Sequence, residues 1–131
     1  MDVWAYLEER RRECQEVSVA EDPRQPLVMA VEAGSDGQRG RLLGHVHLAD
    51  DAYVQIHETI VVEGDNIHRQ KYAYFLTVEG EEVGGYERDP THNPAEHRHC
   101  SAHAHHERLP AASISFKAAI TEAWEYVSRG V

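Results

Sequence analysis

The chain has 131 residues, a hydrophobic fraction of 41% and a formal net charge of −10. This length favours a single domain over residues 1–131, and the acidic balance opposes non-specific binding to nucleic acid, although a local basic site remains compatible with it. No apolar run approaches the roughly 18 residues of a membrane helix, and the acidic amino terminus does not resemble a signal peptide, so we expect a cytoplasmic protein without a membrane partner.

The first predicted element is a helix over residues 2–16. Asp2 is a suitable N-cap, and apolar side chains recur at roughly helical spacing at Val3, Leu7, Cys14 and Val17. The remaining charged residues, including Arg10 to Arg12, are expected to face solvent or a partner.

Five strands follow, separated by short turns. Their approximate ranges are 27–33, 39–48, 52–62, 68–78 and 82–88. Short turns between successive strands indicate antiparallel pairing in a meander. Residues 92–106 show no clear periodicity and are predicted to form a loop. A last helix is expected after the N-cap Ser113, with an apolar stripe at Phe116, Ile120, Trp124 and Val127.

The predicted fold class is therefore α+β. We expect an antiparallel meander sheet of about five strands, with an amino-terminal and a carboxy-terminal helix packed on one face.

Glu58 is the first candidate site residue, because of its position in the third strand. Side chains alternate between faces along a strand, and Glu58 shares its face with Val54, Ile56 and Ile60. A carboxylate among apolar neighbours is costly unless it is paired. The alternative is that Glu58 lies near the end of the strand, where the sheet opens to water.

Two tyrosines of the fourth strand, Tyr72 and Tyr74, share one face. If that face packs on the core, both rings lie on the same side of the sheet as Glu58. They are then either core side chains with satisfied hydroxyls, or one of them, which we assign as Tyr74, is a hydrogen-bond donor or proton relay.

Six of the ten histidines fall between His92 and His106. In an extended segment, residues i and i+2 point the same way, so each H-x-H unit could present two imidazoles to one metal. The candidate ligands are His97, His99, His103 and His105, and zinc or nickel is the possible metal. The spacing matches no closed zinc motif. A solvated loop without chemistry is the alternative.

Acid–base chemistry on RNA is a second interpretation of the same residues. Cleavage through the 2′-hydroxyl needs a base, an acid and a cation for the charge that develops on phosphorus. Glu58 with His99, His103 or His105 could exchange the protons, and Arg88 or Arg98 could stabilise the charge.

Several segments of the chain together resemble a known family. They are Tyr53–Glu58, Tyr72–Phe75, Tyr86–Pro94, Ala102–His106 and Leu109–Ser113. Their order and spacing over about residues 40–127 resemble the TumE-like toxin components of type II toxin–antitoxin pairs. The chain departs from that pattern at Thr91-His92-Asn93, which has one histidine where two are usual.

The resemblance implies a small cytoplasmic toxin that is neutralised by a helix-turn-helix antitoxin, and toxins of this kind often act on RNA. The acidic balance of the chain would suit a basic antitoxin surface. Two other functions stay open: a histidine-rich metal-binding protein without nuclease activity, and an adaptor domain whose partner covers the sheet face that carries His45 and His57.

Overall fold

A computed structural model describes residues 3–18, 28–32, 38–91, 96–100, 107–110 and 114–129, with the backbone alone at 28–32, 97–100 and 107–110. The elements in chain order are α1 (Val3–Val17), β1 (Val28–Glu32), β2 (Arg39–Ala49), β3 (Ala52–Glu63), β4 (Asn66–Val78), β5 (Glu81–Arg88), β6 (Glu96–Cys100), β7 (Glu107–Pro110) and α2 (Phe116–Ser128). Within these ranges, neither helix is long and apolar enough to cross a membrane.

The strands form one antiparallel sheet in which each strand pairs with the next along the chain, in the order β1 to β7. The α+β class and the antiparallel meander are thus confirmed. The predicted number of about five strands is wrong, because the described residues form seven. The added strand β6 lies in the segment that was predicted to be a loop, and β7 follows it.

Backbone pairing explains why β6 and β7 escaped prediction. The backbone of β6 pairs with β5 from Gly84 opposite Cys100 to Arg88 opposite Glu96. Hydrogen bonds to the edge of an existing sheet can order a segment that has no hydrophobic period of its own. The pairing continues into β7, where His97 is opposite Pro110.

The core face of the sheet follows the alternation expected for β3. Val54, Ile56, Glu58 and Ile60 are buried, whereas the residues between them are half-buried or exposed. Buried side chains of both helices and of β2, β3 and β4 form one hydrophobic cluster, which includes Leu7 of α1 and Phe116 of α2.

A β-bulge in β4 changes which side chains reach this core face. Thr59 pairs with Lys71 but Ile60 pairs with Arg69, so that Gln70 is the extra residue. A bulge reverses the alternation on one side of it. Arg69 therefore lies on the same face as Tyr72, where its guanidinium sits 4.3 Å from the centre of the tyrosine ring.

Two details of the helices differ from the expectation. Arg10 does not face solvent, because its side chain is only 14% exposed and it continues the buried stripe of Val3, Leu7 and Cys14.

The N-cap of α2 is Ser115, not Ser113: the Ser115 Oγ accepts a hydrogen bond of 3.1 Å from the Ala118 backbone N–H. The expected caps Asp2 and Ser113 lie outside the described residues.

Candidate functional site

Glu58 is completely buried in the middle of the core face, with 0% of its surface exposed. The Tyr6 hydroxyl donates a hydrogen bond to Glu58 Oε1. Arg10 Nε lies 2.8 Å from Glu58 Oε2, an ion-pair separation, although the N–H is not aligned for a hydrogen bond. The two partners that a buried carboxylate requires are therefore supplied by α1.

Arg10 connects this carboxylate to the surface of the protein. Its Nη2 donates to the Tyr6 hydroxyl at 3.0 Å, and its Nη1 lies 3.2 Å from Glu13 Oε2. Burial by itself disfavours the charged guanidinium, but Glu58 and Tyr6 raise the pKa of Arg10 overall. Burial and the neighbouring Glu58 raise the pKa of Tyr6. Both side chains therefore keep their protons, and Arg10 is a fixed cation.

Arg69 is held by two tyrosines of the same strand. Its guanidinium lies over the Tyr72 ring, and its Nη1 donates a hydrogen bond of 3.0 Å to the Tyr74 hydroxyl. The two tyrosine rings stack at 5.1 Å between centroids. Burial opposes the charge of Arg69, but the contact with Tyr74 raises its pKa overall. Burial and Glu58 raise the pKa of Tyr74 in turn.

Arg10 and Arg69 both line a cleft of about 890 Å³. The cleft lies between α1, the end of β3, the first half of β4 and the first turn of α2. Arg88 and Lys117 bring further positive charge to it. Acidic side chains also line it, among them Glu13, Glu63 and Glu96. Glu58 lies behind this lining, so any effect on a ligand passes through Tyr6 and Arg10.

A second hydrogen-bonded group lies at the edge of the cleft next to β6. The Tyr72 hydroxyl donates to Glu96 Oε2 and accepts a 3.3 Å hydrogen bond from the Ile114 backbone N–H. Arg88 Nη1 lies 3.2 Å from Glu96 Oε1. This group joins β4, β5 and β6 to the segment before α2, and it orients Arg88 toward the cleft.

The structure brings part of the predicted site together. Arg88 lines the cleft, Glu58 lies directly behind it, and Tyr74 orients Arg69. His103 and His105 lie outside the described residues. The backbones of His97 and His99 belong to β6, opposite Glu87 and Gly85, and their side chains are not among those described.

The metal site at His97, His99, His103 and His105 stays a prediction. Among the described side chains, no group of three or more His, Cys, Asp or Glu residues could hold a metal ion. Two carboxylates close to the histidine segment in sequence have other partners. Asp89 accepts from Thr91 and lies 3.4 Å from Lys71 Nζ, and Glu96 binds Tyr72 and Arg88.

Sequence reasoning missed four cleft residues: Tyr6, Arg10, Arg69 and Lys117. A signal for Arg10 was present, because residues 3, 7, 10 and 14 follow the 3–4 spacing of a single helix stripe. Tyr6 is one turn before Arg10 and shares its surroundings. Arg69 carried no such signal, since its parity along β4 depends on the bulge.

The opposite face of the sheet carries a second group of histidines, which includes His45 and His57 of the adaptor alternative. His45, His47 and His57 are half-buried rather than fully solvated, and the His45 ring stacks on Tyr53 at 4.3 Å. Burial, followed by Lys71 and Arg41, lowers the pKa of His57. This face is separated from Glu58 by the thickness of the sheet.

A family model described as toxin TumE matches residues 17–130. The matched region contains Glu58, Arg69, Arg88 and Lys117, whereas Tyr6 and Arg10 precede it. No curated protein and no solved structure matches the chain.

Proposed function

The chain belongs to the TumE toxin family, and on that basis we propose that it is a cytoplasmic toxin that acts on RNA. The observation that carries the proposal is the cleft: four cationic side chains line it against the three acidic ones Glu13, Glu63 and Glu96, in a chain whose net charge is −10. An excess of Arg and Lys over Glu in the lining of a cleft, in a protein that is acidic as a whole, favours a phosphate-bearing ligand there.

RNA cleavage through the 2′-hydroxyl requires a base, an acid and cationic groups near the phosphorus. A base removes the 2′-hydroxyl proton, O2′ bonds to phosphorus, and the bond to O5′ breaks while an acid protonates O5′. We assign these proton transfers to His103 and His105, with His99 as the alternative. Arg88, Arg69 and Arg10 would stabilise the negative charge that builds up on phosphorus.

Glu58 contributes from behind the cleft in this proposal. Its carboxylate is too deeply buried to touch a substrate, but it accepts a hydrogen bond from Tyr6 and pairs with Arg10. Tyr6 and Arg10 line the cleft. The charge on Glu58 thus fixes the positions of the Arg10 guanidinium and of the Tyr6 side chain, both of which a substrate would meet.

A helix-turn-helix antitoxin is the proposed partner. Membership of a toxin family implies a neutralising protein, and the acidic balance of this chain suits a partner with a basic surface. A gene for such a protein next to the gene for this chain would support the pairing, and co-purification of the two products would test it.

Growth after induced expression tests the proposed chemistry. We expect the parent chain to arrest a bacterial host and to degrade its RNA, and we expect Glu58→Gln and His105→Ala to abolish both effects. Growth curves and electrophoresis of total RNA measure the outcome, and circular dichroism shows whether each variant is folded. Folded variants that are as toxic as the parent would refute the assignment.

Two control variants separate chemistry from other causes. Glu125→Gln makes the same charge change as Glu58→Gln on an exposed part of α2 and should stay toxic. His45→Ala removes a histidine from the opposite face of the sheet and should also stay toxic. Loss of toxicity in a folded His45→Ala variant would instead favour the adaptor function.

A further inference from the structure

The aromatic rings of the cleft have arginine side chains above them. The tyrosine and phenylalanine residues of the described lining are Tyr6, Tyr72 and Phe116. The Arg10 guanidinium carbon lies 4.6 Å from the centre of the Phe116 ring and 5.4 Å from that of Tyr6. Arg69 covers Tyr72 at 4.3 Å. These separations are typical of cation–π contacts.

This arrangement differs from that of cleft surfaces that recognise bases. Proteins that bind single strands through their bases offer open aromatic faces on which successive bases stack. Phe116 and Tyr72 are each only 1% exposed, so neither ring offers such a face, and the half-buried Tyr6 ring has the Arg10 guanidinium above it. A ligand that enters the cleft therefore meets the guanidinium groups of Arg10 and Arg69, which lie over these rings.

The two guanidinium groups are also fixed in orientation. Arg10 contacts Tyr6, Glu13, Glu58 and Phe116, and Arg69 contacts Tyr72 and Tyr74. A planar fork of N–H donors suits the oxygens of a phosphodiester, and a side chain that is already oriented loses little entropy when it binds one. Lys117, at the start of α2, adds a flexible charge.

We infer that the cleft recognises the phosphodiester backbone of a polynucleotide and does not discriminate between its bases. The inference rests on the proposed function, because it specifies which part of the RNA the same cleft recognises. Contacts to phosphate carry no sequence information, and they release counterions. The affinity should therefore fall steeply with salt and be nearly equal for different base compositions.

Binding of labelled 2′-O-methyl oligonucleotides of about ten nucleotides tests this inference. The methyl group blocks cleavage through the 2′-hydroxyl, so the toxin itself can be used. Fluorescence anisotropy with oligo-U, oligo-A and oligo-C between 50 and 200 mM salt should give dissociation constants within about threefold of one another at each salt concentration, with log affinity falling linearly against log salt.

Variants of the cationic side chains complete the test. Arg69→Gln should weaken binding to all three oligonucleotides alike and reduce the salt slope by about 0.7, the value for one phosphate contact on a single strand. Lys117→Gln, an exposed change that does not threaten the fold, should reduce the slope by a similar amount. Arg129→Gln, at an arginine that is 70% exposed beyond the end of α2, is the matched control and should leave the slope unchanged.

The outcomes separate the inference from the proposed function. A preference of more than tenfold for one base, or unchanged slopes in both Arg69→Gln and Lys117→Gln, would overturn the inference while leaving an RNA-directed toxin intact. No binding to any oligonucleotide at 50 mM salt would overturn both.

Discussion

Glu58 and Arg10 form an ion pair that is largely withdrawn from water, at 0% and 14% side-chain exposure. Transfer of either charge into the core is unfavourable, and the mutual attraction offsets that cost only while both partners are present. The Tyr6 hydroxyl, which accepts from Arg10 and donates to Glu58, adds the hydrogen bonds that such a pair requires. The charge of the cleft and the stability of the core thus depend on the same three side chains.

The first prediction at this scale concerns the coupling between the two charges. Glu58→Gln should lower the free energy of unfolding by about 3–5 kcal/mol, because Arg10 loses its buried counter-ion and keeps only the more exposed Glu13. The double variant with Glu58→Gln and Arg10→Met should be more stable than the sum of the single effects by about 2 kcal/mol. Urea denaturation of the parent, both single variants and the double variant gives the coupling energy.

A matched ion pair on the surface gives the baseline for this cycle. Glu8 and Arg11 lie on α1 at 3.6 Å with side chains that are 57% and 44% exposed. Their coupling should be below about 1 kcal/mol. A Glu58–Arg10 coupling no larger than that of Glu8–Arg11 would contradict the prediction.

The sequence was sufficient to identify Glu58 and insufficient to identify its partners. Strand parity depends only on the residues next to Glu58, so its burial followed from Val54, Ile56 and Ile60. Arg10 lies 48 positions earlier, and the pairing of the two depends on how α1 crosses the sheet. A charged residue on a helix is most often solvated, which is why the sequence alone predicts that Arg10 faces solvent or a partner.

At the scale of elements, the bulge at Gln70 and the close approach of β4 and β5 shape the cleft. The bulge places Arg69 beside Tyr72. Further along β4, Gly85 of β5 lies so close to the chain that a Cβ atom built on it would be 2.2 Å from the Tyr74 backbone oxygen and 2.8 Å from the Phe75 Cα. The position of Tyr74, and through it that of Arg69, depends on this contact.

The second prediction follows from this contact. Gly85→Ala should lower the free energy of unfolding by about 1–3 kcal/mol, because the added methyl group forces the backbones of β4 and β5 apart. Gly64→Asn is the control: Gly64 has a φ of 62° and no atom within 4 Å of a Cβ, and asparagine tolerates that conformation.

Thermal and urea unfolding of both variants measure the difference. If Gly85→Ala is no less stable than Gly64→Asn, the close approach does not constrain the pairing of β4 and β5.

The strands that sequence could predict are those with an alternating pattern and turn residues at both ends. All five expected strands lie within a few residues of β1 to β5. The segments Glu96–Cys100 and Glu107–Pro110 are short and rich in histidine, arginine and glutamate, so hydrophobic alternation could not reveal them. The bulge was equally hidden, because one extra residue leaves no compositional trace.

At the scale of the whole molecule, buried titratable groups on the two sheet faces limit stability at opposite ends of the pH range. Burial raises the pKa of the Cys14 thiol to about 12, and the pKa values of Tyr6 and Tyr74 are also raised. Burial lowers the pKa of His57 on the other face. Each shift changes the number of protons bound on unfolding, and with it the slope of stability against pH.

The third prediction is the shape of the resulting pH profile. A raised pKa in the folded state stabilises the fold below the unfolded pKa, so the Cys14 contribution should be lost as pH rises from roughly 8.5 toward 12. A lowered pKa has the opposite sign, so the His57 contribution should be lost as pH falls below roughly 6.5. We expect a maximum of stability between these two limits.

Urea midpoints from pH 5 to pH 10 measure the profile. His57→Gln should flatten its acidic side, and Cys14→Ala should flatten the alkaline side up to the pH at which tyrosines begin to ionise. Parallel profiles for the parent and both variants would show that other groups set the limits.

The strictly sequential order of the strands has a consequence for synthesis on the ribosome. Each strand pairs with the one made just before it, so the meander can assemble strand by strand as the chain emerges. The wall of the cleft that carries Phe116 and Lys117 belongs to α2, the last described element. We therefore expect a nascent chain to form the sheet that carries Glu58 and Arg69 while its cleft is still open on one side, and to gain the Phe116 contact of Arg10 only after α2 has left the ribosome.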